Sequence, residues 1–108
     1  MSAQVLTGGV EDSQEWRSTT VRRLVNDPLQ HRGVKVQLMG LVMKIQEATG
    51  TSSGMYWLKG NGDEMLPVCF SSGNPALGQS LAVRGVGGLT ENSEAMLMEI
   101  QRLNWRDD

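Results

Sequence analysis

Between Val34 and Ile45 apolar and outward-type positions alternate, with Val34, Val36, Leu38, Gly40 and Val42 on one parity and Lys35, Gln37, Met39, Leu41 and Met43 on the other. A period of two sustained over that length predicts a strand. Gly40 sits inside it, and an interior strand glycine marks a bulge or sharp bend, the device that lets one strand curl through both sheets of a small barrel. The stretch Gln79 to Leu89 repeats the logic, with Leu81 and Val83 alternating before Gly85. Between them, Met55 to Lys59 and Met65 to Phe70 are two apolar runs around Gly60-Asn61-Gly62-Asp63, which reads as a hairpin. Pro67 cannot donate to a ladder, so its strand is expected at an edge or bulge. Glu47 to Gly54 and Ser71 to Gly78 read as loops.

Ahead of the first strand the period changes. Val21, Leu24 and Val25 fall on one helical face, Thr19 or Thr20 can cap it, and Asp27-Pro28 ends it. A turn over Gln30-His31-Arg32-Gly33 follows. Residues 1 to 17 are polar, without sustained periodicity, and read as a flexible leader to a domain spanning 18 to 105. Ala95 to Leu103 fits two periods. Met96, Leu97, Ile100 and Leu103 have helical spacing, whereas a strand places Met96, Met98 and Ile100 on one face. Strand is the reading adopted, because a closed five-stranded barrel needs its last strand here.

A chain of 108 residues is one domain. No run approaches the roughly 18 to 20 apolar residues that span a bilayer, so no membrane partner is expected. The N-terminus lacks a secretory signal pattern, and a single cysteine, Cys69, forms no internal disulfide; both suit a cytoplasmic protein, although a trimmed exported chain would look the same. The net charge is −2 but unevenly spread. Residues 17 to 59 hold seven bases against two acids, +5, while residues 1 to 16 carry three acids and no base and residues 60 to 108 carry seven acids against three arginines. Such asymmetry can mark a basic face, or be ordinary solvated charge.

Candidate chemistry is sparse. One histidine, His31, and one cysteine cannot make a Cys/His zinc site, and nothing in the pattern brings them together as a nucleophilic pair. Asp63-Glu64 reads as a solvated hairpin tip rather than an acid/base pair. Gly85-Val86-Gly87-Gly88 lacks P-loop spacing and its lysine, and reads as a bend and turn. The chain is expected to be non-catalytic, with no metal and no cofactor.

The segments TVRRLVNDPLQHRGVKVQLMGLVMKI, MYWLKGNGDEMLPVCF, NPALGQSLAVRGVGGL and AMLMEIQRL, in that order, resemble the OB-fold superfamily of the nucleic-acid-binding type over residues 20 to 103. The resemblance implies an all-β, five-stranded OB-fold Greek-key barrel with a short N-terminal helix. It also implies single-stranded DNA or RNA, or a protein, as the class of ligand. The chain departs from nucleic-acid binders of that superfamily in having few aromatics and an acidic overall balance.

With Leu38, Val42, Tyr56, Leu58, Leu66, Val68, Phe70, Leu81 and Val83 inside, the exterior of the first two strands is unusually apolar. Three readings stand. In the leading one Trp57, Lys59, Lys35, Lys44 and Arg84 form a single-strand track of stacking ring and phosphate-facing cations. In the second, Met39, Leu41, Met43 and Met55 form a surface for a protein partner or a homo-oligomer. In the third, the helix or the leader around Trp16 covers that patch, and Trp105 closes one barrel end.

Overall fold

A computed structural model describes residues 16 to 47, 49, 53 to 71 and 73 to 104. The strands are β1 (Arg17–Ser18), β2 (Lys35–Gln46), β3 (Gly54–Lys59), β4 (Met65–Phe70), β5 (Ser80–Leu89) and β6 (Ala95–Asn104). Two short helices, α1 (Val21–Asn26) and α2 (Pro28–His31), lie between β1 and β2. The sheet order is β1-β2-β3-β4-β6-β5, and β5 pairs back onto β2, so β2 to β6 close a five-stranded barrel. All ladders of that barrel are antiparallel except the short β4–β6 pairing, Val68 to Leu97 and Cys69 to Met98. The expected all-β barrel with a short N-terminal helix is what the chain forms. Residues 95 to 104 are strand, so barrel closure overrides their helical spacing.

One long strand serves two neighbours. The first half of β2, Lys35 to Leu41, pairs with β5, and its second half, Leu41 to Gln46, pairs with β3. Gly40 lies at the change of partner, where an added Cβ would stand 3.1 Å from both the Leu58 Cβ and the Lys59 carbonyl oxygen. Gly85 is tighter still, since a Cβ there would run into the Met98 backbone carbonyl. Both interior glycines therefore mark close approaches of neighbouring strands. The β4–β6 ladder begins at Val68, one residue beyond Pro67, which fits the missing donor.

The apolar parity of every strand fills the interior. Val36, Leu38, Val42, Tyr56, Leu58, Leu66, Val68, Phe70, Leu81, Val83 and Leu97 are buried, joined by Val21 and Leu24 of α1. A six-residue helix is not stable alone. Thr20 caps it by accepting a hydrogen bond from the Arg23 backbone N–H at 3.1 Å, and burying two aliphatic side chains, each worth about 1.5–3 kcal/mol, holds it over the barrel end. At that end Gly60 of the β3–β4 turn rests on Val21.

Several local readings need correcting. Gln30 and His31 belong to α2, because Pro28 at its first position both ends α1 and starts a new turn. Gly85 to Gly88 is strand throughout, with Gly87 lying directly under the His31 carbonyl of α2. Arg17, assigned by sequence to the leader, is paired in β1; residues 1 to 15 and Trp105 lie outside the described residues.

Candidate nucleic-acid interface

Two β-bulges decide which side chains face outward. Val42 pairs with Leu58 and Lys44 with Trp57, so Met43 is the extra residue and the alternation of β2 shifts by one. Strict alternation from Val36 would aim Lys44 into the barrel. The bulge turns it out instead, beside Trp57, with the ammonium 4.7 Å from the ring centroid. Ile45 then points inward and packs against the core. On β6, Gly85 pairs with Glu99 and Arg84 with Gln101, leaving Ile100 as the extra residue. That shift aims Arg102 inward next to Glu99.

The inward group is a polar cluster closing the barrel end opposite α1. The Tyr56 hydroxyl donates to the Glu99 carboxylate, and Arg102 Nε donates to it at 2.9 Å. The Arg102 guanidinium lies over Tyr56 and Phe70, 5.5 and 5.2 Å from their ring centroids, and donates to the Gly73 carbonyl of the β4–β5 loop. Burial first, then the adjacent Glu99 carboxylate, push the Tyr56 phenol far above its ordinary pKa, against a smaller lowering by Arg102. Every member is partnered, and the cluster ties β3, β6 and the loop together.

On the outer wall the candidate residues separate into two groups. Lys44, Trp57 and Lys59 sit together across β2 and β3, with Lys59 paired opposite Leu41. Lys35 and Arg84 belong to the β2–β5 half, and Trp16 lies between them, 5.7 Å from each cation. Arg84 is further fixed by donating to Gln37 Oε1 at 2.8 Å and Gln101 Oε1 at 3.2 Å, a row across three strands. Trp16 is a second indole on the wall that strand periodicity did not reveal. Its one sequence signal was a tryptophan standing alone at the end of a polar leader.

The methionines do not make one patch. Met39, Leu41 and Met43 are 52%, 37% and 44% exposed along β2, whereas half-buried Met55 lies opposite Gln46 and Cys69 at the far end of β3. Trp16 covers Lys35 and Arg84 and leaves these three β2 side chains open. Met39, Ala82 and Leu103 align in register across β2, β5 and β6.

The acids are the more informative pattern. Strands β2 to β6 contain Lys35, Lys44, Lys59, Arg84 and Arg102, and a single acid, Glu99, which points inward. The barrel's outer wall therefore carries four cations and no carboxylate, although the chain as a whole is acidic. The acids of the described loops lie in turns and helix ends. Glu64 is less solvated than its place in a hairpin turn suggested, with Oε2 3.7 Å from Arg22 Nε and Oε1 buried.

His31 is held structurally, its Nδ1–H donating to the Asp27 carbonyl at 2.9 Å and its Nε2 3.3 Å from the Thr19 hydroxyl. Among the described residues no three His, Cys, Asp or Glu side chains gather as a metal-ligand set. No helix among them is long and apolar enough to cross a membrane.

No known protein-family profile matches the chain, and no curated protein matches it by sequence. Among solved structures it is similar to a putative aspartyl-tRNA synthetase from Leishmania major Friedlin, with a TM-score of 0.68 at 11% identity. This is an OB-like barrel. The match covers 86% of this chain but 21% of that one, so the likeness is one of fold over a small part of a larger protein. Lys44, Trp57 and Lys59 lie on the exterior of β3 and of the part of β2 paired with it.

Proposed function

We propose that this chain is a non-catalytic module that binds single-stranded nucleic acid across the outer face of β2 and β3. The observation that carries this reading is the charge sorting of the barrel wall: four outward cations, no outward carboxylate, and an indole among the cations. The fold neighbour, a tRNA synthetase by name, is in keeping with an RNA-related role for such a barrel.

The energetics favour exchange at Trp57. An exposed cation–π contact such as Lys44 on Trp57 is worth about 0.5–1 kcal/mol, whereas a base stacked on an aromatic ring is worth about 1–3 kcal/mol. An incoming base displaces the ammonium from the ring, and the freed Lys44 meets the phosphate that accompanies the base. Lys59, on the same face, supplies the next phosphate contact. Arg84 is held by two glutamines and Trp16 and contributes mainly fixed positive potential.

Fluorescence anisotropy with a labelled mixed-sequence oligonucleotide tests this. Trp57→Ala is expected to weaken binding by about 5- to 150-fold, the equivalent of one lost stack, and the Lys44→Gln/Lys59→Gln variant to weaken it on all sequences alike. Absence of saturable binding by the wild-type chain at low salt overturns the proposal.

The exposed Met39, Leu41 and Met43 favour a second reading, a contact surface for a protein partner or a second copy of the chain. Light scattering of the protein alone separates the two, since a dimer insensitive to salt assigns this face to self-association.

A further inference from the structure

Between β1 and the two helices lies an open cleft of about 560 Å³, lined by Arg17, Arg22, Arg23, Asn26 and Gln30, with Asp27 its one acid. The arginines converge from separate elements, Arg17 from β1 and Arg22 and Arg23 from α1. Arg22, itself exposed, has a long contact with the half-buried Glu64 carboxylate at 3.7 Å. Arg17 and Arg23 have no ion-pair partner among the described residues. A basic residue in a helix's last turn is ordinary, which accounts for Arg23 but not for Arg17 or Arg22. Three guanidiniums around one polar cleft repel one another unless an anion joins them, and their planar forks suit phosphate oxygens.

The cleft also borders the edge of β2 that the wall site uses. β1 and β3 occupy the same edge of β2, Arg17 opposite Val36 and Lys59 opposite Leu41. Those register positions are five residues apart, about 17 Å along the strand. Arg17 is in register with inward-facing Val36, so a chain leaving Trp57 past Lys59 reaches the arginines by turning over that edge toward the helices.

We propose that this cleft binds backbone phosphates of the same single strand, extending the track beyond Lys59; the inference rests on the wall site being a nucleic-acid site. It makes the footprint longer than the β2–β3 face alone and places part of it on the helices. Each phosphate contact on a single strand adds about 0.7 to the slope of log affinity against log salt, so two contacts are worth about 25-fold at 0.1 M salt relative to 1 M.

The test compares oligonucleotides of about four and about twelve nucleotides, both within the range of site sizes of OB folds, on the wild-type chain and on Arg17→Gln/Arg23→Gln. Both arginines are exposed, so the fold tolerates the change. The wild type is expected to bind the longer strand at least tenfold more tightly than the shorter. In the variant that gain disappears while affinity for the short strand and tryptophan quenching by it persist. If the variant keeps the full length-dependent gain, the cleft proposal falls and the wall site stands. If the wild type binds neither strand, the wall reading itself falls.

Discussion

Replacing Glu99 with leucine removes the one acceptor shared by Tyr56 and Arg102. In the folded chain the Glu99 and Arg102 side chains are only 9% and 15% exposed, and Arg102 contacts the carboxylate through both Nε and Nη2. Breaking a buried pair by deleting one partner costs about 3–5 kcal/mol because the other charge stays desolvated. A Tyr hydroxyl left without its charged acceptor adds about 1–3 kcal/mol when it has nowhere else to turn. Against this, Arg102 keeps the Gly73 carbonyl and the faces of Tyr56 and Phe70, and the barrel end admits water as the side chains relax. The lower bound therefore governs, and Glu99→Leu is expected to cost about 3 kcal/mol, a fall in Tm of roughly 13 °C for a domain of this size. Urea unfolding followed by tryptophan fluorescence measures it. The Glu99→Leu/Arg102→Met double variant should recover most of the loss, since an apolar pair of similar volume carries no stranded charge. A single-variant cost under about 1 kcal/mol, or a double variant no better than the single, refutes the view that the cluster is desolvated and coupled.

Gly85→Ala drives a Cβ into the Met98 carbonyl and should destabilise by about 1–3 kcal/mol or more, because the obstructing atom is backbone; an unchanged urea midpoint would show that the β5–β6 approach is looser than described. Thr20→Ala removes the cap of α1 and should cost about 1 kcal/mol in the same assay, with no effect there if the helix is held by burial alone. The chain has one tyrosine, and its phenol titrates far above the ordinary value while folded. Phenolate absorbance should therefore stay absent from the native protein through about pH 10, where a free tyrosine is half ionised. Above that pH the unfolded chain releases a proton the native chain retains, so stability falls as pH rises; a native titration midpoint near the free value would contradict this.

Period-two alternation carried most of the barrel. It placed Leu38, Val42, Tyr56, Leu58, Leu66, Val68, Phe70, Leu81 and Val83 inside, where each is buried, and the interior glycines signalled close strand contacts. The two bulges were hidden because their extra residues, Met43 and Ile100, look like ordinary apolar strand positions. Gly85, singled out by its interior place in its strand, does stand at the register shift opposite Ile100, but it does not tell which residue of β6 is the extra one. For that reason alternation gave no warning that Lys44 turns outward onto Trp57 or that Arg102 turns inward onto Glu99. The helical spacing of 95 to 103 was a local preference outweighed by ladder pairing to β5, which no short window of sequence contains. Candidate cations spaced along the chain were grouped by residue type, whereas register separates Lys35 and Arg84, gathered at Trp16, from Lys44 and Lys59. The confinement of strand acids to one inward position became visible only once strand boundaries and facing were known.

Nucleic-acid binding by a carboxylate-free wall has one plain signature in solution. Titrating the wild-type chain with a mixed-sequence single-stranded oligonucleotide, at salt concentrations from low to moderate, should give saturable tryptophan quenching. The logarithm of its affinity should fall linearly with the logarithm of salt, by about 0.7 per phosphate engaged. A quench that does not vary with salt, or no quench at the lowest salt, would contradict the assignment of Lys44, Trp57 and Lys59 to a nucleic-acid site.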